Sequence, residues 1–578
     1  MKSKTEKIPS ARIAAVYPEI EGGRYPVKTE TDRPLEVRAV IAGPSPSSVA
    51  LLVREKKAPG GEWSRTSLRP GARGCWEGSV LFSRPGTYLY RVEAALPGAR
   101  PLRYRELEVV VEPVRARFAA WYEAFPRSQG TRPGVHGTLR DMAERLPDIR
   151  KMGFDVLYLP PIHPIGKTNR KGRNNSLLAG PGDPGSPWSV GDATGGHTAV
   201  HPELGTIQDF RRLVRAAEGL GMEVAIDFTS NCSPDHPWIR EHPDWFFHNP
   251  DGSIRYAENP PKKYEDVCPL NFFPKDQDAM WKAVRFFFDF WIEQGVKAFR
   301  IDNPHTKPTE FWEWLIRGIK ESHPEIVFLS EAFTNYDKLE ELARAGFSQS
   351  YSYFTWRNGK NELIEYFTKL TRSYLKDFLR ANLFTNTPDI LPPIIQKGGE
   401  PAFRLRIALA ATLSSAFGMY SGYELLENEA LPGREEYKDS EKYEIKVRDW
   451  NRPGNIKDYI ARLNRIRNEN RALQFYDNLR FHNSTDDNIL FYSKSSPDRV
   501  NHVLVAVNLD PFAAHAGRVT VPVEAFGLAS DESYPLRELI TGKTWTWKGR
   551  ENTVHLDPRE NPAVILRLEK ASTANGRE

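Results

Sequence analysis

Cysteine is scarce in this sequence. Its 578 residues include only Cys75, Cys232 and Cys268, and no two of them form a CxxC pair. Disulfide scaffolds and cysteine-rich zinc sites need more cysteines at closer spacing. The scarcity therefore excludes both classes and is typical of a reducing compartment, so we expect a cytoplasmic protein.

Long apolar runs and blocks of basic charge are also lacking. No run approaches the roughly 18 apolar residues of a membrane span, and the polar segment Met1–Lys7 is not followed by the apolar core of a signal peptide. The 80 basic and 75 acidic residues give a net charge of only +5. Neither a membrane nor a nucleic acid is expected as a partner.

Short strand-like runs, broken by proline and glycine, occupy both ends of the chain. Residues 1–113 contain runs such as 35–41 and 88–94, and this pattern predicts an N-terminal β-sandwich. Residues 471–570 repeat the pattern and predict a C-terminal β-sandwich. The polar residues 571–578 are expected to form a disordered tail.

Between the two β-rich ends, residues 114–470 alternate strand and helix eight times. The alternation predicts an α/β fold, a (β/α)8 TIM barrel, with a doubly wound parallel sheet as the alternative. Two connections, 162–200 and 229–277, are unusually long and are expected to be substrate-binding loops at the barrel mouth. The predicted strands are 118–122, 154–159, 223–228, 298–302, 326–331, 348–354, 383–385 and 419–421. The predicted helices are 138–152, 206–220, 279–295, 308–322, 336–345, 360–379, 402–416 and 456–468.

Three acidic residues follow short apolar runs. Asp302 and Glu331 end the fourth and fifth predicted strands, and Asp389 follows the seventh. Acids at the carboxyl ends of barrel strands point into the active-site mouth, and paired carboxylates carry out glycosyl transfer. A single strand-end Asp can instead cap a helix. Three such acids with Arg300 two residues before Asp302 favour a catalytic site, in which Arg300 keeps Asp302 ionised.

This order of acids resembles the α-amylase superfamily, whose fourth, fifth and seventh strands end in nucleophile, acid/base and transition-state stabiliser. Longer segments resemble one family within it, the bacterial α-1,4-glucan:maltose-1-phosphate maltosyltransferases. These segments are 118–128 (FAAWYEAFPRS), 160–175 (PPIHPIGKTNRKGRNN), 256–264 (YAENPPKKY), 299–308 (FRIDNPHTKP), 386–391 (NTPDIL) and 439–450 (DSEKYEIKVRDW).

The resemblance implies a retaining transferase that elongates an α-1,4-glucan with maltosyl units from α-maltose 1-phosphate. Asp302 would form a β-maltosyl-enzyme, Glu331 would act as acid and base, and Asp389 would hold sugar hydroxyls. The mechanism requires no metal and no cofactor is expected, whereas the homodimer is what the resemblance implies. Phosphate contacts are carried over to Asn259, Lys262, Tyr264 and Asn303, and maltosyl contacts to Lys171, Asn231, Lys442 and Tyr443.

Several of these residues also have a purely structural interpretation. Lys262 and Lys263 could belong to a solvated loop, and Lys442 and Tyr443 could lie on the surface. Trp188 could be a sugar platform or could pack within its loop. His163, His197 and His305 match no compact metal-ligand spacing, so structural or substrate roles are expected for them.

The sequence departs from the family in three places. The helical insertion between the N-terminal module and the barrel is missing, which weakens the expected homodimer. Asn231 replaces the usual Gln and Thr198 replaces the usual Asp. Two alternative functions therefore stay open: an α-glucan hydrolase or transglycosylase that uses no phosphate donor, and a catalytically idle glucan-binding protein.

Overall fold

The N-terminal module consists of two facing β-sheets. In the computed structural model the chain is described at residues 11–57, 61–259 and 262–569, with only the backbone at Arg73, Asn259 and Lys262. The sheet orders are β1-β3-β7-β6 and β2-β10-β8-β4-β5, with β9 beside β8. The strands are β1 Arg12–Tyr17, β2 Val27–Glu30, β3 Leu35–Ala42, β4 Ser48–Glu55, β5 Ser64–Ser67, β6 Arg69–Pro70, β7 Cys75–Val80, β8 Gly86–Ala95, β9 Leu102–Arg103 and β10 Leu107–Glu112.

Alternation along these strands explains why they form a sandwich. In β3, Leu35, Val37 and Ala39 are buried while Glu36, Arg38 and Val40 face solvent. This period of two places one face of each sheet against the other. The predicted N-terminal β-sandwich is confirmed.

The central region is a closed barrel of eight parallel strands in the order β11-β12-β13-β18-β19-β20-β21-β22. Strands β11 and β22 pair in parallel and close the ring. The prediction of a (β/α)8 barrel is therefore confirmed over the doubly wound alternative. The strands of this region, including four short ones in a loop, are β11 Ala119–Glu123, β12 Val156–Leu159, β13 Glu223–Phe228, β14 Asn231–Cys232, β15 Ala257–Asn259, β16 Lys262–Tyr264, β17 Cys268–Pro269, β18 Ala298–Ile301, β19 Val327–Ser330, β20 Gln349–Tyr351, β21 Ala381–Phe384 and β22 Ala416–Tyr420.

Nine α-helices are present in the described part of the chain, and eight of them surround the barrel or follow its last strand. The first two barrel helices begin at capping boxes, Thr138 with Asp141 and Thr206 with Asp209. The helices are α1 Leu139–Lys151, α2 Ile207–Gly219, α3 Pro237–Glu241, α4 Gln277–Glu293, α5 Thr309–Ser322, α6 Tyr336–Ala345, α7 Lys360–Arg372, α8 Pro393–Leu413 and α9 Lys457–Glu469.

The largest differences from the predicted boundaries lie in α7, in α8 and at the start of β22. Helix α7 ends at Arg372 instead of residue 379, because Ser373 adopts an extended backbone and caps a separate 3₁₀ turn. Helix α8 begins nine residues earlier than predicted and crosses a kink at Gly399. Ala416 belongs to strand β22, not to the preceding helix.

The two long loops fold over the barrel mouth. The first, which follows β12, contacts the second through bridges such as Val190 with Cys232. The second contains α3 and two strand pairs, β14 with β17 and β15 with β16. The loops therefore form one connected layer above the carboxyl ends of the barrel strands.

The C-terminal module is a six-stranded sheet, β23-β24-β25-β30-β27-β28, faced by the pair β26-β29. Its own hydrophobic core includes Phe491, Leu504 and Leu566, which confirms the predicted C-terminal β-sandwich. The strands are β23 Arg480–His482, β24 Ile489–Ser495, β25 His502–Asn508, β26 His515–Thr520, β27 Ser533–Glu538, β28 Thr544–Lys548, β29 Glu551–Leu556 and β30 Ala563–Leu568. The predicted tail 571–578 lies outside the described residues. Within those residues, every helix is too short or too polar to cross a bilayer.

Candidate active site

The three acids predicted from the sequence lie at the same end of the barrel. Asp302 directly follows β18, Glu331 directly follows β19, and Asp389 lies in the turn after β21. All three line one cavity of about 790 Å³. The structure therefore brings together the acids that the sequence placed on separate strands.

Arg300 connects the acids at the base of this cavity. Its Nη1 lies 3.0 Å from Asp302 Oδ1, and its Nη2 lies 2.6 Å from Glu331 Oε2. Nη1 also lies 2.7 Å from Asp227 Oδ2, and the Arg300 side chain is only 6% exposed. Because one guanidinium contacts both Asp302 and Glu331, their carboxyl groups lie close together on one side of the cavity.

Asp227 is the buried member of this cluster. It is fully buried in β13 and accepts a hydrogen bond from Tyr158 Oη at 2.6 Å. Burial raises the pKa of Asp227 to about 7, although Arg300 acts in the opposite direction. Asp227 is not among the residues that line the cavity, and its contact with Arg300 orients the guanidinium from behind.

Glu331 has the electrostatic environment of a general acid. Burial raises its pKa to about 8; Arg300 opposes this shift, while the charges of Asp302 and Asp389 add to it. A carboxyl group with such a pKa is protonated near neutral pH and can donate its proton to a leaving group.

Asp302 is held through both of its carboxylate oxygens. Oδ1 accepts a hydrogen bond from Arg300 Nη1 at 3.0 Å and a longer one from Asn303 Nδ2 at 3.4 Å. Oδ2 accepts a hydrogen bond from Thr229 Oγ1 at 3.1 Å. The Asp302 side chain is 13% exposed, so it remains open toward the cavity.

Asp389 and Lys442 form an ion pair on the cavity wall. Lys442 Nζ lies 2.8 Å and 3.1 Å from the two oxygens of Asp389. The same ammonium lies 5.0 Å from the ring of Trp188 and 6.0 Å from the ring of Tyr443. Lys442 and Tyr443 therefore belong to the cavity wall and not to the outer surface, and Trp188 both lines the cavity and packs against Phe125.

The other predicted substrate residues differ in where they lie. Asn231, Tyr264 and Asn303 line the cavity. Lys171 is buried and does not line it; its ammonium is ion-paired with Glu265, next to Tyr264 in the wall. The side chains of Asn259 and Lys262 lie outside the described residues. Of the two positions that depart from the family, Asn231 lines the cavity and Thr198 is not part of its described wall.

Several cavity residues were not predicted from the sequence. Lys307, five residues after Asp302, lines the cavity, as do Arg255 and Phe333. His305, for which a structural or substrate role was expected, lines it as well. The burial of Lys307 lowers its pKa, and Asp302 opposes that effect. The segment 299–308 already contained both Lys307 and His305, so proximity to Asp302 was the available signal.

The structure also contains a compact group of potential metal ligands that the spacing of the histidines did not predict. The ligand atoms of His197, Cys232 and His236 lie within 4.8 Å of one another, and all three residues are buried. A second group, His136, His201 and Glu203, is more exposed. In the first group each imidazole nitrogen already has a hydrogen-bond partner, which leaves no free nitrogen for a metal.

Family models match three parts of the chain. Residues 9–96 match "Alpha-1,4-glucan:maltose-1-phosphate maltosyltransferase, domain N/S", residues 121–285 match "Alpha amylase, catalytic domain", and residues 481–568 match "GLGE, C-terminal". The three matches fall in the N-terminal sandwich, the barrel and the C-terminal sandwich.

Two relatives named alpha-1,4-glucan:maltose-1-phosphate maltosyltransferase illustrate the similarity. The Rhodospirillum rubrum protein is 56% identical over 462 residues, which cover 80% of this chain and 67% of that protein. The Myxococcus xanthus protein is 42% identical over 649 residues, covering 97% of both chains. Because that alignment is longer than this chain of 578 residues, the Myxococcus protein contains residues with no counterpart here, as expected if the insertion is missing.

Solved structures of α-amylases share the fold at low sequence identity. The maltogenic alpha-amylase AmyB from Thermotoga neapolitana has a TM-score of 0.62 and 18% identity, covering 78% of this chain and 99% of that one. The alpha-amylase from Geobacillus thermoleovorans has a TM-score of 0.60 and 16% identity, with the same coverage. At these identities the likeness establishes the barrel fold alone.

Proposed function

The chain belongs to the alpha-1,4-glucan:maltose-1-phosphate maltosyltransferase family of the alpha-amylase superfamily, and on this basis we propose that it transfers a maltosyl unit from α-maltose 1-phosphate to the non-reducing end of an α-1,4-glucan. The observation that carries the proposal is the joint contact of Arg300 with Asp302 and Glu331 on the wall of the cavity. This is the pair of carboxyl groups that retaining glycosyl transfer requires.

In the first step, Asp302 attacks the anomeric carbon and the bond from that carbon to the phosphate oxygen breaks. A β-linked maltosyl ester forms on Asp302, and phosphate leaves with the proton of Glu331. The contact with Arg300 keeps a positive charge beside the nucleophile. The raised pKa of Glu331 supports its role as the proton donor.

In the second step, the 4-hydroxyl of the glucan acceptor attacks the maltosyl ester. Glu331, now ionised, removes the hydroxyl proton, and Asp302 is released as a carboxylate. The new linkage is again α because two inversions have occurred. Phosphate must leave the cavity before the acceptor enters, and the large cavity volume of about 790 Å³ is compatible with that exchange.

Donors for the phosphate group would come from the cavity wall near the nucleophile. Tyr264, Asn303 and Lys307 line the cavity and offer a phenol, an amide and an ammonium. The phosphate contacts that the family resemblance implies for Asn259 and Lys262 remain part of this proposal, since the side chains of both residues lie outside the described residues. A charge-assisted hydrogen bond to phosphate is among the stronger polar contacts that a protein makes.

The maltosyl unit would lie against the opposite wall. Asp389, fixed by Lys442, would accept hydrogen bonds from sugar hydroxyls as the ring flattens. Trp188 and Tyr443 present aromatic rings, and Asn231 presents an amide. Lys171 would act through Glu265, with which it is ion-paired.

The remaining expectations belong to this proposal as well. The domain boundaries at residues 113 and 470, the absence of nucleic acid and membrane partners, and a homodimer are proposed as the sequence suggests them. A cytoplasmic location is supported by three free cysteines.

The first experiment measures phosphate release from α-maltose 1-phosphate with and without maltohexaose, together with product lengths by mass spectrometry. Phosphate release coupled to growth in steps of two glucose units is the expected result. Activity on maltooligosaccharides without use of the phosphate donor would favour the hydrolase alternative. Glucan binding without any turnover would favour the idle binding protein.

A second experiment tests the phosphate site through Lys307→Met. We expect a loss of about 10- to 100-fold in kcat/KM for α-maltose 1-phosphate, because a charged hydrogen bond is removed. The effect on α-maltosyl fluoride, which carries no phosphate, should be within threefold. The matched control is Lys282→Met, since Lys282 is 67% exposed on α4. Equal losses with both donors would place Lys307 outside the phosphate site.

A further inference from the structure

The buried histidines behind the cavity form a continuous hydrogen-bond chain. His236 Nδ1 accepts a hydrogen bond from the backbone N–H of Trp238 at 3.1 Å, so the proton of the His236 ring is on Nε2. That Nε2 lies 3.2 Å from His197 Nδ1 and donates to it. His197 then carries its proton on Nε2, which lies 3.0 Å from the backbone oxygen of Thr229.

In this hydrogen-bond chain every proton is donated in the direction from His236 to Thr229. The protonation of the two rings does not change near neutral pH. Each nitrogen of His236 and His197 has a partner that suits a neutral ring, which fixes both tautomers. Burial lowers the pKa of both rings to about 3. Neither ring gains a proton near neutral pH, so the carbonyl of Thr229 is held continuously.

The hydroxyl of Thr229 is also held in one orientation by hydrogen bonds, as its carbonyl is. Thr229 is 1% exposed, and its Oγ1 accepts a hydrogen bond from the backbone N–H of Asn231 at 3.3 Å. Because that N–H occupies an acceptor position, the hydroxyl proton is available for Asp302 Oδ2, which lies 3.1 Å away. Thr229 is therefore an oriented donor to the nucleophile.

Asp302 thus receives donors on both carboxylate oxygens. Arg300 holds Oδ1 and Thr229 holds Oδ2, and two donors at separate oxygens prevent rotation of the carboxylate about its last bond. A nucleophile that is held in the attacking orientation reacts faster. Displacing it by about 1 Å can lower the reaction rate on the order of 100-fold.

We propose that Thr229 is a positioning residue for the nucleophile: its hydroxyl fixes the carboxylate plane of Asp302, and the chain from His236 through His197 fixes Thr229. This inference rests on the proposed role of Asp302 as the nucleophile. It does not depend on which leaving group the donor carries.

The test uses Thr229→Val, which keeps the shape and removes the hydroxyl, and Thr229→Ser, which keeps the hydroxyl. The probe is 2-deoxy-2-fluoro-α-maltosyl fluoride. Asp302 attacks its anomeric carbon, the carbon–fluorine bond breaks, fluoride leaves, and the stable ester adds mass to the protein. Thr229→Val should be trapped about 10- to 100-fold more slowly than the wild type, whereas Thr229→Ser should be within threefold of it.

Three readouts separate positioning from a general structural role. Thermal unfolding of Thr229→Val should be close to that of the wild type, its KM for α-maltose 1-phosphate should be within about twofold, and the loss should be in kcat. Trapping of Thr229→Val at the wild-type rate would overturn the proposal. So would equal losses in the Val and Ser variants.

A double-mutant cycle tests the histidine chain. His197→Phe removes the donor to the Thr229 carbonyl and should slow trapping by itself. In the Thr229→Val background the same change should add less than about twofold, because both act through one contact. Fully additive losses would overturn the role of the chain. If the fluoride probe traps the wild-type enzyme but the enzyme does not react with α-maltose 1-phosphate, the proposed donor is wrong. The test of Thr229 would still be valid in that case.

Discussion

Among single residues, Glu331 is predicted to set how the activity responds to alkaline pH. In the proposed mechanism its acid form protonates the leaving group, and its pKa is raised to about 8. In kcat/KM for α-maltose 1-phosphate, activity should therefore be retained below pH 8 and should fall as the pH rises through that value. Steady-state rates between pH 6 and pH 10 measure this fall.

The control for this pH profile is Glu331→Gln. The amide cannot donate a proton, so activity should drop by at least about 100-fold and the alkaline fall should disappear from the residual rate. An alkaline fall that persists unchanged in Glu331→Gln would assign it to another group.

The sequence predicted the acids and the pairing of Arg300 with Asp302, but not the contacts of Arg300 with Asp227 and Glu331. Asp302 and Glu331 could be recognised because each ends an apolar run. The contact of Arg300 with Asp227 depends on the register of β13 against β18, which pairs these two residues directly. Register is set by the packing of the whole barrel, and Thr229 has no sequence signal that distinguishes it from other buried threonines.

Among the elements, the central residues of strands and helices were predictable from the sequence. The boundaries near helix-breaking glycine and proline residues were not. Strand 223–228 and helix 336–345 were predicted with the observed bounds. The predicted helix began at residue 402, after Gly398, Gly399 and Pro401, yet the chain already forms a short helical segment before Gly399 and the helix resumes after it. Apolar residues near Ala416 could not distinguish a helix end from a buried strand, because both are continuously apolar.

The loop that carries His197 offers a prediction at this scale. A Cβ at Gly196 would lie 2.2 Å from His236 Nε2, inside the van der Waals contact of a buried ring. Gly196→Ala should displace His236, destabilise the fold by about 1–3 kcal/mol through overpacking, and lower kcat. Urea unfolding and steady-state kinetics on the same sample measure both effects.

Gly219→Ala is the matched control for this change. A Cβ at Gly219 would meet no atom within 4 Å, and the residue ends helix α2. The free energy of unfolding of Gly219→Ala should equal or slightly exceed that of the wild type, because alanine favours a helix more than glycine does. Similar losses in both variants would contradict the predicted clash.

In the whole molecule, the N-terminal module is joined to the barrel by buried charges. Glu112 at the end of β10 lies 2.8 Å from Lys320 Nζ on α5 and 2.5 Å from Arg380 Nη1 before β21. Arg380 Nη2 also lies 2.6 Å from Glu30 Oε1 in β2. All four side chains are at most 5% exposed, so the module and the base of the barrel share one ionic cluster.

The pKa of Glu112 shows how this cluster depends on pH. Burial by itself would raise that pKa, but Lys320 and Arg380 lower it well below the ordinary value. A carboxyl group with a depressed folded pKa stabilises the fold at pH values above its unfolded pKa of about 4.3 and loses that contribution as the pH falls. Acid should therefore weaken the connection between module and barrel.

Glu112→Gln should reveal this connection in urea unfolding. Glu112→Gln removes the carboxylate that faces Lys320 and leaves Arg380 with Glu30 alone as its acidic partner in this cluster. Breaking a buried ion pair in this way should lower the free energy of unfolding at pH 7 by about 3–5 kcal/mol. The variant should also lose less stability than the wild type between pH 5 and pH 3. The control is Glu108→Gln on the same strand, whose partly exposed pair with Lys56, with side chains 20% and 36% exposed, should contribute at most about 1 kcal/mol. Equal losses would mean that the buried cluster does not couple the two domains, whereas a large loss at Glu112 alone would make the N-terminal module part of the stability of the catalytic barrel.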